Sequence, residues 1–270
     1  MMEWTASHID RIGGKTTFMA NPSNKNTAGK TYPPILLGEF IVDPRKKTLC
    51  IYGHLDVQPA AKADGWNTDP FVLTEIDGYI FGRGATDDKG PALSWLWAIE
   101  AYQQLGVEFP GNIKLLYEGM EESGSEGMQE AILELAKPGK FLNDVNFICI
   151  SDSYWLGKRK PCINYGLRGL AMFEVVVQCS EQDLHSGVFG GTMHEAMTDL
   201  VYLLASLKDP SGKILIEGLM DDVVPVTPEE EALYRDIDFD PEAYKVRRLA
   251  GANQSCNENE ALVHLTSYLR

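Results

Sequence analysis

Between Ile35 and Asp152 the chain alternates short apolar runs with stretches whose apolar residues recur at helical spacing. The runs "ILLGEFIV", "TLCIYG", "NIKLLYEG" and "NFICISD" are rich in β-branched and large apolar residues and bounded by turn residues, the pattern of buried strands. The first two are joined by the Pro44 turn "DPRK". "FVLTEIDGYIFGRG" predicts a hairpin about Asp77-Gly78. In "DDKGPALSWLWAIEAYQQLG", Leu93, Leu96, Trp97 and Ile99 share helical spacing, Pro91 stands in the first turn and Gly106 is the stop. Trp95, Trp97 and Tyr102 on this helix read as core packing. A second helix is predicted over "GSEGMQEAILELA". Alternation of strand and helix implies an α/β layered domain with a mostly parallel sheet.

After "KRKPCINYGLRG" the pattern changes. "GLAMFEVVVQCS" predicts a long strand, "TMHEAMTDLVYLLASL" a helix and "KILIEG" a short strand. These make a second, α+β unit, so the expected division is 1–163 and 164–270. Two short helices follow, with Pro228 and Pro241 at their starts. The chain stops at "VHLTSYLR" in mid-element, which implies that both domains are incomplete.

A composition of 44% hydrophobic and 23% charged residues is that of a soluble globular protein. The net charge of −15 repels phosphate backbones and anionic bilayers, excluding nucleic acid and membrane surfaces as expected partners and favouring cations. No apolar run reaches the ~18–20 residues of a membrane span, and no targeting signal is visible. Cys50, Cys149, Cys162, Cys179 and Cys256 form no CxxC pair and read as buried thiols in a reducing compartment, which points to the cytoplasm.

The chemistry lies just after the predicted strands. "GHLD" (His54, Asp56) follows "TLCIY", "ATDDKG" (Asp87, Asp88) follows the hairpin, "EGMEESGSEG" (Glu121, Glu122) follows "NIKLLY", and "SDSYW" (Asp152) follows "NFICI". Taken alone, the two glutamates read first as a solvated turn and His54 as a structural histidine. Together they fall where α/β sheets gather residues distant in sequence into one crevice. Crowded carboxylates raise one another's pKa values unless cations or water intervene. One histidine with three carboxylates and no thiolate suits zinc, manganese or cobalt. In this arrangement Asp56 fixes the His54 tautomer and Asp87 offers an oxygen to each of two ions. If one of Glu121 and Glu122 coordinates, the other is free as a general base. His8 and His194 read as ordinary helix histidines, and His264 receives no chemistry.

"IYGHLDVQPA", "DGWNTDPF", "GRGATDDKGP", "EGMEESGSEG", "ISDSYWLGKRKPCINYGLRG" and "DLHSGVFGGTMHEAMTDL" resemble the dipeptidase branch of a family of dinuclear metallopeptidases. Carboxypeptidase G, acetylornithine deacetylase and succinyl-diaminopimelate desuccinylase belong to the same family. The resemblance runs from about Trp4 to about Ala250. It implies a catalytic α/β domain followed by part of a lid and dimerisation domain. The implied reaction is hydrolysis of dipeptides by a water activated between two divalent ions, zinc or manganese. By motif, His54 and Asp152 hold one ion, Glu122 the other, and Asp87 both. Asp56 orients His54, and Glu121 is the general base. His185 in "DLHSG" binds the substrate carbonyl in the partner subunit's site. A cis peptide is implied at Asp87-Asp88. A second metal-binding histidine would lie in a C-terminal half that this chain lacks, implying a fragment with little activity of its own. Hydrolysis of N-acyl amino acids by the same machinery, and a metal-binding or dimerising fragment without catalysis, are the alternative readings.

Overall fold

The computed structural model describes residues 1–23, 29, 31–153, 155, 157 and 159–240. The helix expected at Pro241, Cys256 and His264 lie outside the described residues. The chain separates into two compact units, Met1–Tyr154 and Trp155–Arg270.

The first unit is built on a sheet whose strands are β1 (Lys15–Met19), β2 (Ile35–Phe40), β3 (Thr48–His54), β6 (Asn112–Glu118) and β7 (Phe147–Ile150). Their spatial order is β1-β2-β6-β3-β7. β6 and β7 flank β3 in parallel, while β1–β2 and β2–β6 are antiparallel, so the sheet is mixed and its parallel part is the half that ends at the acidic clusters. β4 (Thr74–Ile76) and β5 (Tyr79–Phe81) form the predicted hairpin, with Asp77 and Gly78 both at positive φ.

β2 and β3 are consecutive but do not pair, because β6 lies between them. Buried Asn112 at the start of β6 holds that arrangement: its Oδ1 accepts from the N–H groups of Val42 and Asp43 at 2.9 and 3.1 Å, and its amide donates to the Asp43 carbonyl. The Pro44 turn is thereby fastened to β6.

Side chains alternate across the sheet as a strand period of two requires. Leu36, Ile51, Ile113, Leu115 and Tyr117 pack with Ile9 of α1 (Met2–Arg11) and with Leu96 and Ile99 of α2 (Lys89–Gln104). Ile35, Leu37, Cys50 and Leu116 face the other way, onto Met128, Ala131 and Leu135 of α3 (Met128–Leu135). Each fully buried aliphatic side chain contributes ~1.5–3 kcal/mol. The predicted helices are thus present, but Trp97 is 53% exposed and Tyr102 also reaches solvent; of the three aromatics only Trp95 packs against the core. Helical spacing had placed Trp97 with Leu93 and Leu96, but among the described residues it is not one of those packed against the core that Leu96 and Leu93 join.

The second unit contains α4 (Ser186–Phe189), α5 (Ala196–Ala205) and α6 (Pro228–Arg235). α6 begins as the sequence predicts, with Pro228 in the first turn and the Thr227 hydroxyl accepting from the Glu230 N–H at 3.2 Å. The long strand expected over "GLAMFEVVVQCS" does not form, and "KILIEG" makes only an isolated bridge, Lys208 to Ile214. Among the described residues β-propensity there finds no neighbouring strand to pair with, and an unpaired strand satisfies neither its backbone groups nor its apolar face. His194 precedes α5 rather than lying in it, whereas His8 is in α1. Cys50 is buried, its thiol pushed up to about 11 by burial, but Cys149, Cys162 and Cys179 are partly exposed, contrary to expectation, because β7 and the second unit carry no covering layer among the described residues. No helix among the described residues is long and apolar enough to cross a membrane.

Candidate metal centre

The parallel register sets the site. His54 is the last residue of β3 and lies opposite Glu118, the last of β6; Tyr52 lies opposite Ile150, the last of β7. The segments leaving these strands therefore start side by side, and they carry Asp56, Glu121 with Glu122, and Asp152. Asp87 arrives from the segment preceding α2, and the positive end of that helix favours negative charge beside it. The Asp87-Asp88 peptide is cis, as expected.

His54 is fully buried at the floor of the site. Its Nε2 lies 3.0 Å from Asp87 Oδ1, 3.5 Å from Asp152 Oδ2 and 3.8 Å from Glu121 Oε2. On its other side Nδ1 faces Asp56 Oδ1 at 3.3 Å without hydrogen-bond geometry, leaving both atoms buried and unpartnered. The backbone N–H of His54 donates to Asp88 Oδ2 at 3.2 Å. This contact needs Gly53, where a Cβ would stand 2.7 Å from the same oxygen.

The charges press on one another. Burial disfavours a charged imidazole at His54, but Asp152, Glu121, Asp56 and Asp88 outweigh it and hold its pKa above the ordinary range. Burial first, then neighbouring acids against the opposing pull of His54, raises the carboxyls of Glu121 and Asp152 above the usual carboxylate range. Asp88 is pushed up to about 6, again chiefly by burial.

The arrangement fits a divalent cation. His54, Asp87 and Asp152 each offer one ligand atom within 4.8 Å of the others, a nitrogen and oxygens without sulfur. A cation between them would offset the mutual repulsion of the gathered carboxylates. Of the predicted ligands Glu122 is engaged elsewhere: its carboxylate accepts from the backbone and side-chain N–H groups of Gln58, at 3.2 and 2.8 Å. Its own N–H donates to Asp56 Oδ2 at 3.1 Å. Gln58 was not singled out from the sequence, although "GHLDVQ" places it four residues after His54, in the segment that had to cross the site. His185 lies in the second unit at the start of α4, where its Nδ1 accepts from the Gly187 N–H at 3.0 Å.

An α/β sheet with a buried imidazole and convergent carboxylates at its strand ends defines a class of metal-binding scaffold. Residues 50–267 match the model of Peptidase family M20/M25/M40, and the chain belongs to that family. It is 45% identical over 270 residues to the Beta-Ala-His dipeptidase of Homo sapiens, a match covering 99% of this chain and 53% of that protein. It is 53% identical over 214 residues to the Cys-Gly metallodipeptidase dug1 of Schizosaccharomyces pombe, covering 79% of this chain and 44% of that protein. The crystal structure of human carnosine dipeptidase 1 matches with a TM-score of 0.78 at 43% identity, over 98% of this chain and 55% of that one. The chain spans about half the length of the curated relatives it matches.

Proposed function

We propose that this chain carries the metal centre of a dipeptidase that hydrolyses the peptide bond of short peptides with two divalent ions, zinc or manganese. The observation that carries the reading is the meeting of His54, Asp87 and Asp152 within 4.8 Å. Identity to a Beta-Ala-His dipeptidase and a Cys-Gly metallodipeptidase favours dipeptides over N-acyl amino acids as substrates.

In this reading His54 and Asp152 would hold one ion and Glu122 the other, with Asp87 serving both. The ions, when bound, polarise the scissile carbonyl and acidify water. Glu121 takes the proton from the attacking water and passes it to the leaving amine. Its raised pKa and its place 3.8 Å from His54 suit a group that must both accept and return a proton. Asp56 keeps the His54 ring oriented from its Nδ1 side. His185 is assigned to the substrate carbonyl, acting across a homodimer formed through the second unit, and the enzyme to the cytoplasm.

The test is the ion count of the purified chain dialysed against Mn2+ or Zn2+, with Cys-Gly, β-Ala-His and N-acetyl amino acids then offered as substrates. Two ions per chain, falling to none in Asp87→Ala, is the expected result. Any dipeptide hydrolysis falls to the uncatalysed rate in Glu121→Ala while its ions stay bound. An ion count unchanged by Asp87→Ala overturns the reading, and turnover of the N-acetyl compounds alone overturns the substrate assignment.

A further inference from the structure

The segment that carries Glu121 and Glu122 contains Gly119, Gly124 and Gly127, yet it is fastened at both ends. At its root, Glu118 is only 3% exposed and sits between β3 and the returning loop. Its Oε1 accepts from the Tyr52 hydroxyl at 2.5 Å and from the Ser125 hydroxyl at 2.8 Å. Ser125 is held at a positive φ of 52°, and its N–H donates to the Met120 carbonyl at 2.7 Å. The segment thus closes on the strand it left. Beyond it, Asn21 donates to the Glu126 carbonyl at 2.8 Å, and a Cβ at Gly127 would meet Asn21 Oδ1 at 2.1 Å. The Leu55 N–H donates to the Glu118 carbonyl at 2.8 Å, which continues the β3–β6 ladder past His54.

Burying a carboxylate is costly unless its oxygens are satisfied. Among the described residues Glu118 makes no ion pair, and the side-chain groups that donate to it are two hydroxyls, one from the strand bearing His54 and one from the far side of the loop bearing Glu121. A group needed only to fill the core would be apolar here, as Tyr117 and Leu116 beside it largely are.

We propose that Tyr52, Glu118 and Ser125 form a clasp that fixes where Glu121 stands relative to His54, which makes all three positioning residues of the metal centre. The consequence for chemistry rests on the proposed role of Glu121; the clasp itself is tested without turnover. Tyr52→Phe and Ser125→Ala each delete one hydroxyl while keeping the ring or the Cβ. In hydrogen–deuterium exchange of the metal-free chain, amides of residues 119–127 exchange about tenfold faster for each hydroxyl lost, and those of β3 and β6 are unchanged. With Co2+ bound, the visible absorption band of the double variant differs from that of the wild type, because Glu121 no longer holds its place beside His54. Loop exchange equal to wild type in the double variant overturns the clasp, and so does faster exchange spread over β3 and β6, the signature of a packing residue. A wild-type chain that takes up no Co2+ overturns the metal-centre reading instead, and the exchange result still decides the clasp.

Discussion

The two units solve the same physical problem to different degrees. In the first, alternate residues of the central strands bury against α1 and α2 on one face and α3 on the other, so that Ile9, Leu36, Leu96 and Leu115 have no exposure. In the second, no described residue is buried: Leu167, Leu170, Met172 and Phe173 are each 87–89% exposed, and α5 shows Met197 and Tyr202 to solvent. Both sequences are rich in apolar residues, but among the described residues only the first unit has helices packed on both faces of its central strands. The candidate metal centre stands on the better-packed unit, and a rigid support of that kind is what a precise ligand geometry requires.

The sharpest way to break that contrast is to truncate one apolar residue in each unit. Leu115→Ala should cost about 2–5 kcal/mol of unfolding free energy, whereas Phe173→Ala should stay within ~0.5 kcal/mol; denaturant midpoints read on the two variants decide it. Equal losses would mean that the second unit has a core after all. Next in size is Gly53→Ala, whose added methyl must displace the Asp88 carboxylate or strain β3. It should cost about 1–3 kcal/mol and weaken divalent-ion binding by isothermal titration, since the contact it disturbs is the one holding the His54 backbone. The smallest effect sharpens the view of the second unit. Thr227→Ala removes the α6 cap at about 1 kcal/mol, which should melt the local helix, visible as loss of amide protection in residues 228–235, without moving the midpoint of the first unit.

Elements with strong local signals were legible in the chain itself. The Asp77-Gly78 hairpin, the Pro91 helix and the Thr227-Pro228 start of α6 are where residue chemistry places them, because each depends on neighbours within a few positions. The strand over "GLAMFEVVVQCS" carried an equally strong local signal and failed, since a strand exists only with a partner. The candidate site was legible for a related reason: His54 ends a strand, Asp56, Glu121 and Asp152 follow strands and Asp87 precedes a helix, and the direction of a parallel sheet carries such residues to one end.

What the sequence determined alone was therefore an inventory: the strands and helices with strong local signals, the acids and the imidazole that stand at or after strand ends, and the end of the sheet at which they gather. Tertiary structure decided the rest. It inserted β6 between β2 and β3 and separated two adjacent glutamates, turning Glu121 towards His54 and giving Glu122 to Gln58. It also left Trp97 in solvent on a helix whose spacing would have hidden it. The physical reason is range: propensity and spacing act over a few residues, while strand order, burial and the partner of a carboxylate depend on chain distant in sequence, whose arrangement no local pattern encodes.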